Sequence, residues 1–435
     1  MSARVVILGG GFGGAYCARA LEKSFRPGAA EIFLIDRRNY FVFYPLLVEA
    51  GTGSLSPRHA VVSIRSFLRT AQFRMAEALD VDFAGRSLTC RAGATGEKAH
   101  VPFDHLVIAL GSVTRMPAVP GLSEFGFEMK SLADAVALRD RAIEMLETAD
   151  ATADPAARRA LLHFVVVGGN FTGVEVAGEF HVFLREAARR YRNVDPGECR
   201  VTLVEIAERI LGALERSLAD YATREMRRRG MDVRLKTSVA RIEADRVLLD
   251  DGESLAAHTV IWCAGIAPNP LLARLGLPCD RLGYVLCDRE LRVQGHSHVW
   301  AIGDCAVNID AAGKPYPATA QHAIAQGKHV AANITRAVRG GSPRQFDYTS
   351  RGSTAAFGCR TGVASVFGVK ISGFAAWFVW RTLYLAKMPG LGRKVRVAID
   401  WALELIFPRD YVQLGVHTVG SKRTDAPIAP RNPGC

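Results

Sequence analysis

Two glycine-rich segments have the residue types and spacing of loops that bind dinucleotides. In the first, Gly9-x-Gly11-x-x-Gly14 follows the apolar run 4–8 and precedes a stretch typical of a helix. Gly9 permits a tight turn, Gly11 lets the backbone approach a pyrophosphate, and Gly14 lets helix and strand pack closely. Asp36 ends the next predicted strand, where a carboxylate accepts hydrogen bonds from ribose hydroxyls. This segment therefore predicts a dinucleotide site.

The second segment repeats the plan with one change. Gly168 and Gly173 flank Asn170 after the apolar run 163–167, and Glu205 ends the strand that follows the next helix. Because Asn170 carries a Cβ and an amide, we expect it to crowd a pyrophosphate, so that the nucleotide lies farther out or binds weakly. An acid at Glu205 favours a ribose 2′-hydroxyl and repels a 2′-phosphate, which favours NADH over NADPH. The alternative is a structural turn that binds no nucleotide.

Short apolar strands that alternate with helices must position these loops. This alternation predicts an α/β fold with two Rossmann-like doubly wound units. The 435 residues are too many for one ordinary core, which agrees with more than one domain. Two dinucleotide sites in one chain indicate a tightly held flavin and an exchangeable nicotinamide, between which a hydride passes.

At this point the sequence resembles the two-dinucleotide-binding-domain flavoproteins, and more narrowly the type II NADH dehydrogenases. These are single-chain NADH:quinone oxidoreductases that do not pump protons. The resemblance covers residues 4 to about 410 and is most specific in three stretches, which are RRNYFVFYPLLVEAGTGSLSPRH, PATAQHAIAQGKHVAANI and SGFAAWFVWRTLYL with the later DWALELIFPRD. It implies an FAD-binding domain at 1–120 and 285–350, an NADH-binding domain at 121–284 and a helical amphipathic membrane-associating segment at 351–420. The terminal segment 421–435 carries three prolines and is expected to be a disordered tail.

The resemblance also implies roles for individual residues. Gly9, Gly11, Gly14 and Asp36 would hold the ADP half of FAD. Gly168, Asn170, Gly173 and Glu205 would hold NAD. Further FAD contacts would come from Ala78 at the adenine, Gly111 at the pyrophosphate, Asp304 at the ribityl chain, and Pro45 and Leu46 at the flavin, while Ala264 and Gly265 would line the nicotinamide cleft.

Two polar residues are the candidate catalytic groups by the same resemblance. Glu175, near the start of the second helix, matches a family glutamate at the nicotinamide–flavin junction; the alternative is a first-turn acid stabilised by the helix dipole. Gln321 belongs to the family's AQxAxQ pattern, where quinone approaches the flavin. Here Ala325 replaces the second glutamine and Gln326 comes one place late, so we expect Gln326 to point elsewhere. For Gln321 the alternative is a polar residue that bonds backbone at the start of a helix.

No metal site is expected. His322 and His329 share a predicted helix face, but no carboxylate or cysteine accompanies them at the spacing of metal ligands. The nine cysteines are scattered without a CxxC pair, which fits reduced thiols in a cytoplasm. The first strand begins too early for a secretory signal to precede it.

The C-terminal region predicts how the protein meets its surroundings. The net charge is +12, and half of this excess lies from Lys370 onward, where three of the five tryptophans also occur. Apolar side chains recur there at helical spacing, at Phe374, Trp377, Phe378 and Leu385 and again at Val395, Ile399, Ala402 and Ile406. Basic helices that carry tryptophan lie in a membrane interface, so we expect peripheral attachment to the anionic cytoplasmic face of the cell membrane. The alternatives are a homodimer interface and packing on the domains.

Other functions compete with quinone reduction. A sulfide:quinone oxidoreductase needs two redox cysteines, one of them in the central region, but no cysteine occurs between Cys90 and Cys199. A disulfide reductase needs a CxxxxC pair, and ferredoxin-type reductases lack the amphipathic C-terminus. A non-enzymatic, FAD-bound regulator that responds to NADH is supported mainly by Asn170. Nucleic acid is not expected as a partner, because no binding module accompanies the charge.

Overall fold

The computed structural model describes residues 2–26, 28–93 and 95–415. The strands are β1 Ala3–Leu8, β2 Ala30–Asp36, β3 Tyr40–Val42, β4 Val61–Ser63, β5 Gln72–Asp82, β6 Ser87–Ala92, β7 Lys98–Pro102, β8 His105–Ile108, β9 Ser112–Thr114, β10 Gly126–Glu128, β11 His163–Val167, β12 Arg200–Glu205, β13 Asp232–Leu235, β14 Val239–Ile242, β15 Arg246–Leu249, β16 Ser254–Ala256, β17 Thr259–Trp262, β18 Ile266–Pro268, β19 Val285–Leu286, β20 Val299–Ala301, β21 Ala306–Val307, β22 Gly352–Ala356, β23 Gly362–Val366 and β24 Val369–Ser372.

The helices alternate with these strands over most of the chain. The α-helices are α1 Phe12–Ser24, α2 Leu47–Gly51, α3 Ile64–Phe67, α4 Leu122–Phe125, α5 Leu132–Asp150, α6 Pro155–Leu161, α7 Phe171–Ala188, α8 Arg216–Arg228, α9 Ala320–Val338, α10 Gly373–Lys387 and α11 Leu391–Ile406. Short 3₁₀ helices cover Tyr44–Leu46, Pro57–Ala60, Pro196–Glu198, Pro270–Arg274 and Gly303–Cys305.

The first glycine-rich loop belongs to a sheet with the strand order β20-β8-β1-β2-β5-β6-β7. Strands β20, β8, β1, β2 and β5 run parallel, whereas β6 and β7 pair antiparallel at the edge. Residues 5–8 of β1 are fully buried, as a parallel strand covered on both faces requires. Helix α9 packs closely on α1, since a Cβ on Gly327 would lie 2.3 Å from the carbonyl oxygen of Gly13. Chain from residue 299 onward thereby completes the unit that begins at residue 3.

The second loop belongs to a parallel sheet with the order β10-β17-β11-β12-β13. Strand β11 occupies the position that β1 holds in the first sheet, and all five of its residues are buried. The antiparallel strands β14, β15 and β16 form a separate small sheet in this part of the chain. The predicted α/β fold with two doubly wound units is therefore confirmed.

The C-terminal region differs from the prediction in one respect. Strands β22, β23 and β24 form an antiparallel sheet before the two helices α10 and α11, whereas the sequence was expected to be helical throughout this segment. Strands β22 and β23 are short and rich in Gly, Ala and Ser, so they lack the alternation of apolar and polar residues that marks a half-buried strand, and β24 alternates over only four residues. The expected disordered tail, 421–435, lies outside the described residues.

Candidate active site: two nucleotide cradles joined at their strand ends

We call the loop from Gly9 to Gly14, together with Asp36, the first nucleotide cradle, and the corresponding residues Gly168 to Gly173 with Glu205 the second. In the first cradle a side chain is excluded at two of the glycines and has space at the third. A Cβ on Gly14 would lie 1.9 Å from the carbonyl oxygen of Gly9, so no other residue fits there. Gly9 itself adopts φ +100°, which side chains rarely allow. A Cβ on Gly11 would meet no atom within 4 Å, so this is the side from which a pyrophosphate can approach the backbone. These observations fit the roles predicted for the three glycines.

Asp36 lies against the same loop. Its Oδ2 accepts a hydrogen bond from the Gly10 N–H at 2.6 Å, and its Oδ1 accepts one from the Arg38 N–H at 2.8 Å. The carboxylate is thereby held in a fixed orientation at the end of β2 and keeps further lone pairs for an external donor. This is the geometry in which an acid orients a ribose.

The second cradle reproduces the first bond for bond. The Gly168 N–H donates to the Val204 carbonyl at 2.8 Å, just as the Gly9 N–H donates to the Ile35 carbonyl at 2.9 Å. Glu205 accepts from the Gly169 and Ala207 N–H groups, the counterparts of the two bonds that Asp36 makes. A Cβ on Gly173 would lie 1.8 Å from the Gly168 carbonyl oxygen. The chain therefore contains two cradles of one design.

The Asn170 side chain is held within the protein through both of its polar atoms. The residue has φ −74°, so the position does not need the left-handed conformation, and its Oδ1 caps α7 by accepting from the Gly173 N–H at 3.0 Å. Its Nδ2 donates to the Cys263 carbonyl at 2.6 Å at the end of β17. Both polar atoms of the amide are thus bonded within the protein, to the helix start and to the neighbouring strand end. The amide is a built structural element of the cradle.

The two cradles are joined by the short ladder between β9 and β18. Ser112, directly after Gly111, pairs with Pro268, and Thr114 pairs with Ile266, directly after Gly265. The Arg115 N–H also donates to the Gly265 carbonyl at 3.2 Å. Gly111 and Gly265 both have positive φ, at +66° and +85°, which their turns require. The strand ends assigned to the flavin and to the nicotinamide cleft are therefore adjacent.

A series of hydrogen-bonded polar side chains, which the sequence did not predict, lies where the two cradles meet at the β9–β18 ladder. Lys130 Nζ donates to Ser112 Oγ at 3.0 Å, and Ser112 Oγ donates to Asp304 Oδ2 at 3.2 Å. Lys130 also lies over the Tyr44 ring, with Nζ 5.4 Å from its centroid. Burial lowers the pKa of Lys130, and Asp304 opposes this shift. No sequence motif identifies Lys130 as a site residue, whereas Ser112 could have been found because it directly follows Gly111, which the sequence had already singled out.

The turn that carries Asp304 is fixed by Gln326. The Gln326 side chain is buried, and its Oε1 accepts from the Gly303 N–H at 2.7 Å. The sequence correctly placed Gln326 away from Gln321 on α9, but it did not show that Gln326 points into the turn of the flavin unit. Gly303 adopts φ +73° there.

The remaining residues expected at the flavin occupy different environments. Pro45 and Leu46 lie in the 3₁₀ helix after β3, where Leu46 is fully buried in the core and Pro45 is half-buried. Leu46 would therefore face a flavin through its backbone rather than its side chain. Ala78 lies in β5 opposite Cys90, beyond the part of β5 that pairs with the end of β2. Ala264 follows β17, and its backbone lies 2.9 Å from a Cβ placed on Gly168.

Glu175 connects the second cradle to the C-terminal region. It is the fifth residue of α7, beyond the first turn, so the alternative of a first-turn acid is wrong. Its Oε1 accepts from the Ala356 N–H at 3.3 Å and from Trp380 Nε1 at 3.2 Å. Burial raises the pKa of Glu175 to about 8, and the nearby carboxylate Glu49 adds to this shift. The carboxyl group can therefore hold or release a proton near neutral pH.

Gln321 also contacts the C-terminal region. It is the second residue of α9, and its Nε2 donates to Ser350 Oγ at 2.9 Å and to the Gly352 carbonyl at 3.1 Å. The side chain is partly exposed, and its bond to the Gly352 carbonyl agrees with the alternative of a polar residue that bonds backbone at the start of a helix, although Thr319 is the residue that caps the helix. His322 and His329 bond Thr319 and the Arg344 carbonyl, and no group of residues suited to a metal occurs within 2–26, 28–93 and 95–415.

Two cradles of one design, joined at their strand ends, define a flavoprotein with two dinucleotide-binding domains. The pyridine nucleotide-disulphide oxidoreductase model matches residues 3–327, and the NDH2 C-terminal domain model matches residues 350–410. The chain belongs to the pyridine nucleotide-disulphide oxidoreductase family and, within it, to the type II NADH dehydrogenases.

Individual relatives agree with this family. The chain is 30% identical to a probable NADH dehydrogenase of Dictyostelium discoideum over 94% of this chain and 90% of that protein. It is 31% identical to the type II NADH:quinone oxidoreductase of Staphylococcus aureus over 89% of this chain and 96% of that protein. The structure of NDH2 from Plasmodium falciparum in complex with NADH is similar in fold, with a TM-score of 0.86 at 20% identity over 95% of this chain and 100% of that one.

Proposed function

We propose that the protein is an NADH:quinone oxidoreductase that uses FAD as its resident cofactor. The observation that carries the proposal is the ladder between β9 and β18, which brings the strand ends of the two cradles together. Bound FAD supplies the electron-carrier chemistry, accepting a hydride from NADH and passing the electrons to quinone. The name of the Staphylococcus aureus relative supports quinone as the acceptor.

The first cradle fits FAD and the second fits NADH. Ser112 and Asp304 follow strand ends of the first unit, and with Lys130 they offer both charge signs to the ribityl and pyrophosphate portions of a bound flavin nucleotide. The open side of Gly11 and the open side of Gly111 provide backbone N–H groups for the pyrophosphate. In the second cradle, Glu205 is held by two backbone N–H groups and favours a nucleotide without a 2′-phosphate.

Glu175 and Gln321 are the candidate groups on the acceptor side. Both residues bond the segment 350–356, where the C-terminal region meets the two nucleotide units. Quinone reduction consumes protons as well as electrons, and a carboxyl group with a pKa near 8 can supply one at neutral pH. The Gln321 amide would donate to a quinone carbonyl by exchanging one of its bonds to Ser350 and Gly352. We therefore assign proton supply to Glu175 and quinone orientation to Gln321.

The C-terminal helices are proposed to attach the protein to the surface of a membrane. On α11 the apolar side chains Val395, Ile399 and Ile406 are exposed, while the polar Asp400 and Glu404 bond other parts of the protein. Because Val397 and Trp401 of the same helix are buried, α11 carries apolar side chains on its outer side as well as its inner side, which is unusual for a helix that faces water. Among residues 2–415, leaving aside Pro27 and Ala94, no helix is both long and apolar enough to cross a bilayer. Peripheral attachment at the cytoplasmic face accounts for the exposed face, and a second copy of the chain is the other candidate partner.

Anaerobic titration of the purified holoprotein tests the proposed function. NADH should bleach the oxidised flavin absorbance, NADPH should do so only at far higher concentration, and a short-chain quinone added afterwards should restore the absorbance. A flavin that NADH leaves oxidised would contradict the hydride step. A reduced flavin that no quinone reoxidises would contradict the acceptor.

A further inference from the structure

A cavity of about 420 Å³ lies between α7, the turn that links β22 to β23, and the C-terminal helices. We call it the arginine pocket, because five of its lining residues are arginines, namely Arg189, Arg190, Arg360, Arg381 and Arg409. Three glutamates also line it, namely Glu179, Glu186 and Glu404. The volume falls within the range of about 300–1,000 Å³ that small-molecule sites occupy. None of the nucleotide-binding residues described above belongs to this pocket.

The floor of the pocket is a closed network of ion pairs. Arg409 lies 3.0 Å from Glu404, 3.3 Å from Glu179 and 3.6 Å from Glu186, so it contacts all three glutamates. Arg381 lies 2.6 Å from Glu404 and 3.5 Å from Glu49. The three acids of the pocket are therefore already paired by its two deepest arginines.

The remaining three arginines form the rim and keep their charge for an external anion. Arg189 and Arg190 follow the end of α7, Arg360 lies in the turn after β22, and all three side chains are exposed. None of them makes an ion pair with a described residue. The turn that carries Arg360 is held by Arg229, which donates to the Gly358 carbonyl at 2.8 Å and to Thr361. The three rim arginines therefore follow a helix end or lie in a turn that is held by hydrogen bonds.

Apolar side chains continue from the rim onto the exposed face of the C-terminal helices. Leu405 and Phe407 line the pocket and are 54% and 60% exposed, and Trp377 lines it from α10. A ligand that fills this site must therefore present an anionic group to the arginines and apolar chains to the helix face. Arginine binds phosphate oxygens in pairs, which suits it to this task.

We propose that the arginine pocket binds the phosphate headgroup of an anionic membrane phospholipid, with the acyl chains lying along the exposed face of α11; this rests on the membrane attachment proposed above. The rim arginines contact the phosphate, whereas the two arginines beneath them are neutralised by the glutamates with which they pair. The pocket fixes the enzyme in one orientation on an anionic membrane, in addition to the general attraction of its positive charge.

Vesicle flotation of the FAD-loaded protein tests this site. The probes are vesicles of phosphatidylcholine alone and of phosphatidylcholine mixed with phosphatidylglycerol. The variant Arg189→Gln/Arg190→Gln/Arg360→Gln should bind the mixed vesicles on the order of 100-fold more weakly, at about fivefold per arginine, and the phosphatidylcholine vesicles unchanged. The variant with lysine at the same three positions keeps the charge but loses paired contacts, and should fall roughly tenfold.

A matched control removes three exposed arginines elsewhere, Arg69→Gln/Arg241→Gln/Arg281→Gln, with the same change in net charge. It should lose no more than about fivefold on the mixed vesicles. Equal losses of affinity for the mixed vesicles in the two triple-glutamine variants would show that the overall positive charge determines binding, and would overturn the proposed lipid site. Displacement from the vesicles by millimolar inorganic phosphate would identify a free anion as the occupant and overturn the lipid assignment.

The same preparations separate this inference from the proposed function. In detergent with a short-chain quinone, the rim variant should oxidise NADH as fast as the unaltered protein. Absence of quinone activity in the unaltered protein would contradict the proposed function and leave the vesicle comparison valid. Equal flotation of the two triples would contradict only the lipid site.

Discussion

Glu175 Oε1 lies 3.2 Å from Trp380 Nε1, a hydrogen bond between a helix of the second nucleotide unit and a C-terminal helix. The bond favours the ionised carboxylate and so lowers the pKa of Glu175, against burial, which raises it. Trp380→Phe should therefore raise this pKa by about one unit beyond its value near 8. The pH dependence of flavin reoxidation by quinone should shift alkaline to the same extent. Trp377→Phe, which removes no bond to Glu175, should leave the profile in place, and an equal shift in both variants would contradict the assignment.

Glu175 should also make stability depend on pH. Its pKa is about 8 in the folded protein against an ordinary 4.5, so the folded state binds more protons between these values and loses stability as pH rises through them. Glu175→Gln removes this loss. The free energy of unfolding of the variant should exceed that of the unaltered protein by on the order of 5 kcal/mol above pH 8, and the difference should shrink toward pH 5. Thermal melts across this range measure it; a constant difference would contradict the shift.

Glu205 should govern the choice of nucleotide. Glu205→Gln removes the negative charge that repels a 2′-phosphate and keeps an oxygen that can accept from the Gly169 N–H. The preference for NADH over NADPH, expressed as the ratio of kcat/KM values, should fall by roughly tenfold. Glu208→Gln changes an exposed acid on the same loop and should alter the ratio far less. An unchanged ratio in Glu205→Gln would remove the basis for the predicted specificity.

The two glutamines of α9, Gln326 and Gln321, should differ in their effect on FAD when each is replaced by leucine. Gln326→Leu leaves the partly buried Gly303 N–H without its partner, at a cost of about 1 kcal/mol, and loosens the turn of Asp304. FAD should then be lost on dialysis much faster than from the unaltered protein. Gln321→Leu should retain FAD but raise KM for quinone several-fold. Flavin fluorescence in the dialysate measures the first effect, and equal retention in both variants would contradict the role of Gln326.

Asn170 should act on stability more than on nucleotide affinity. Asn170→Ala removes the cap of α7 and the bond to the Cys263 carbonyl, which should lower the free energy of unfolding by about 1–2 kcal/mol. Because both polar atoms of the amide are bonded within the protein, Asn170→Gly should change the NADH Kd by no more than about threefold. A large gain in affinity in Asn170→Gly would show that the amide obstructs the nucleotide after all.

The exposed face of α11 should determine membrane binding. Ile399→Asp/Ile406→Asp places two charges on this face and should abolish vesicle flotation, whereas Leu282→Asp, at an exposed apolar residue outside the C-terminal region, should not. Size-exclusion chromatography of the same variants tests whether a second copy of the chain covers this face instead of a membrane. A dimer that dissociates in the double variant while flotation persists would assign the face to a second copy of the chain.

The sequence predicted the parts of the site that depend on local rules. Gly9, Gly14, Asp36 and their second-unit counterparts follow from the turn and packing that a strand–loop–helix unit imposes. The bonds from Gln326 to Gly303 and from Lys130 to Ser112 join residues far apart in the chain, and no local pattern encodes them. The three-stranded sheet before α10 escaped prediction for a related reason, since two of its strands lack alternation, the third is only four residues long, and pairing holds them together.

Double-mixing stopped-flow spectroscopy tests the central claim most directly. Oxidised holoprotein is mixed anaerobically with one equivalent of NADH, and the reduced flavin is then mixed with a short-chain quinone or with oxygenated buffer. The account predicts rapid bleaching by NADH and reoxidation by quinone that is much faster than reoxidation by oxygen. Reoxidation by quinone no faster than by oxygen would contradict it.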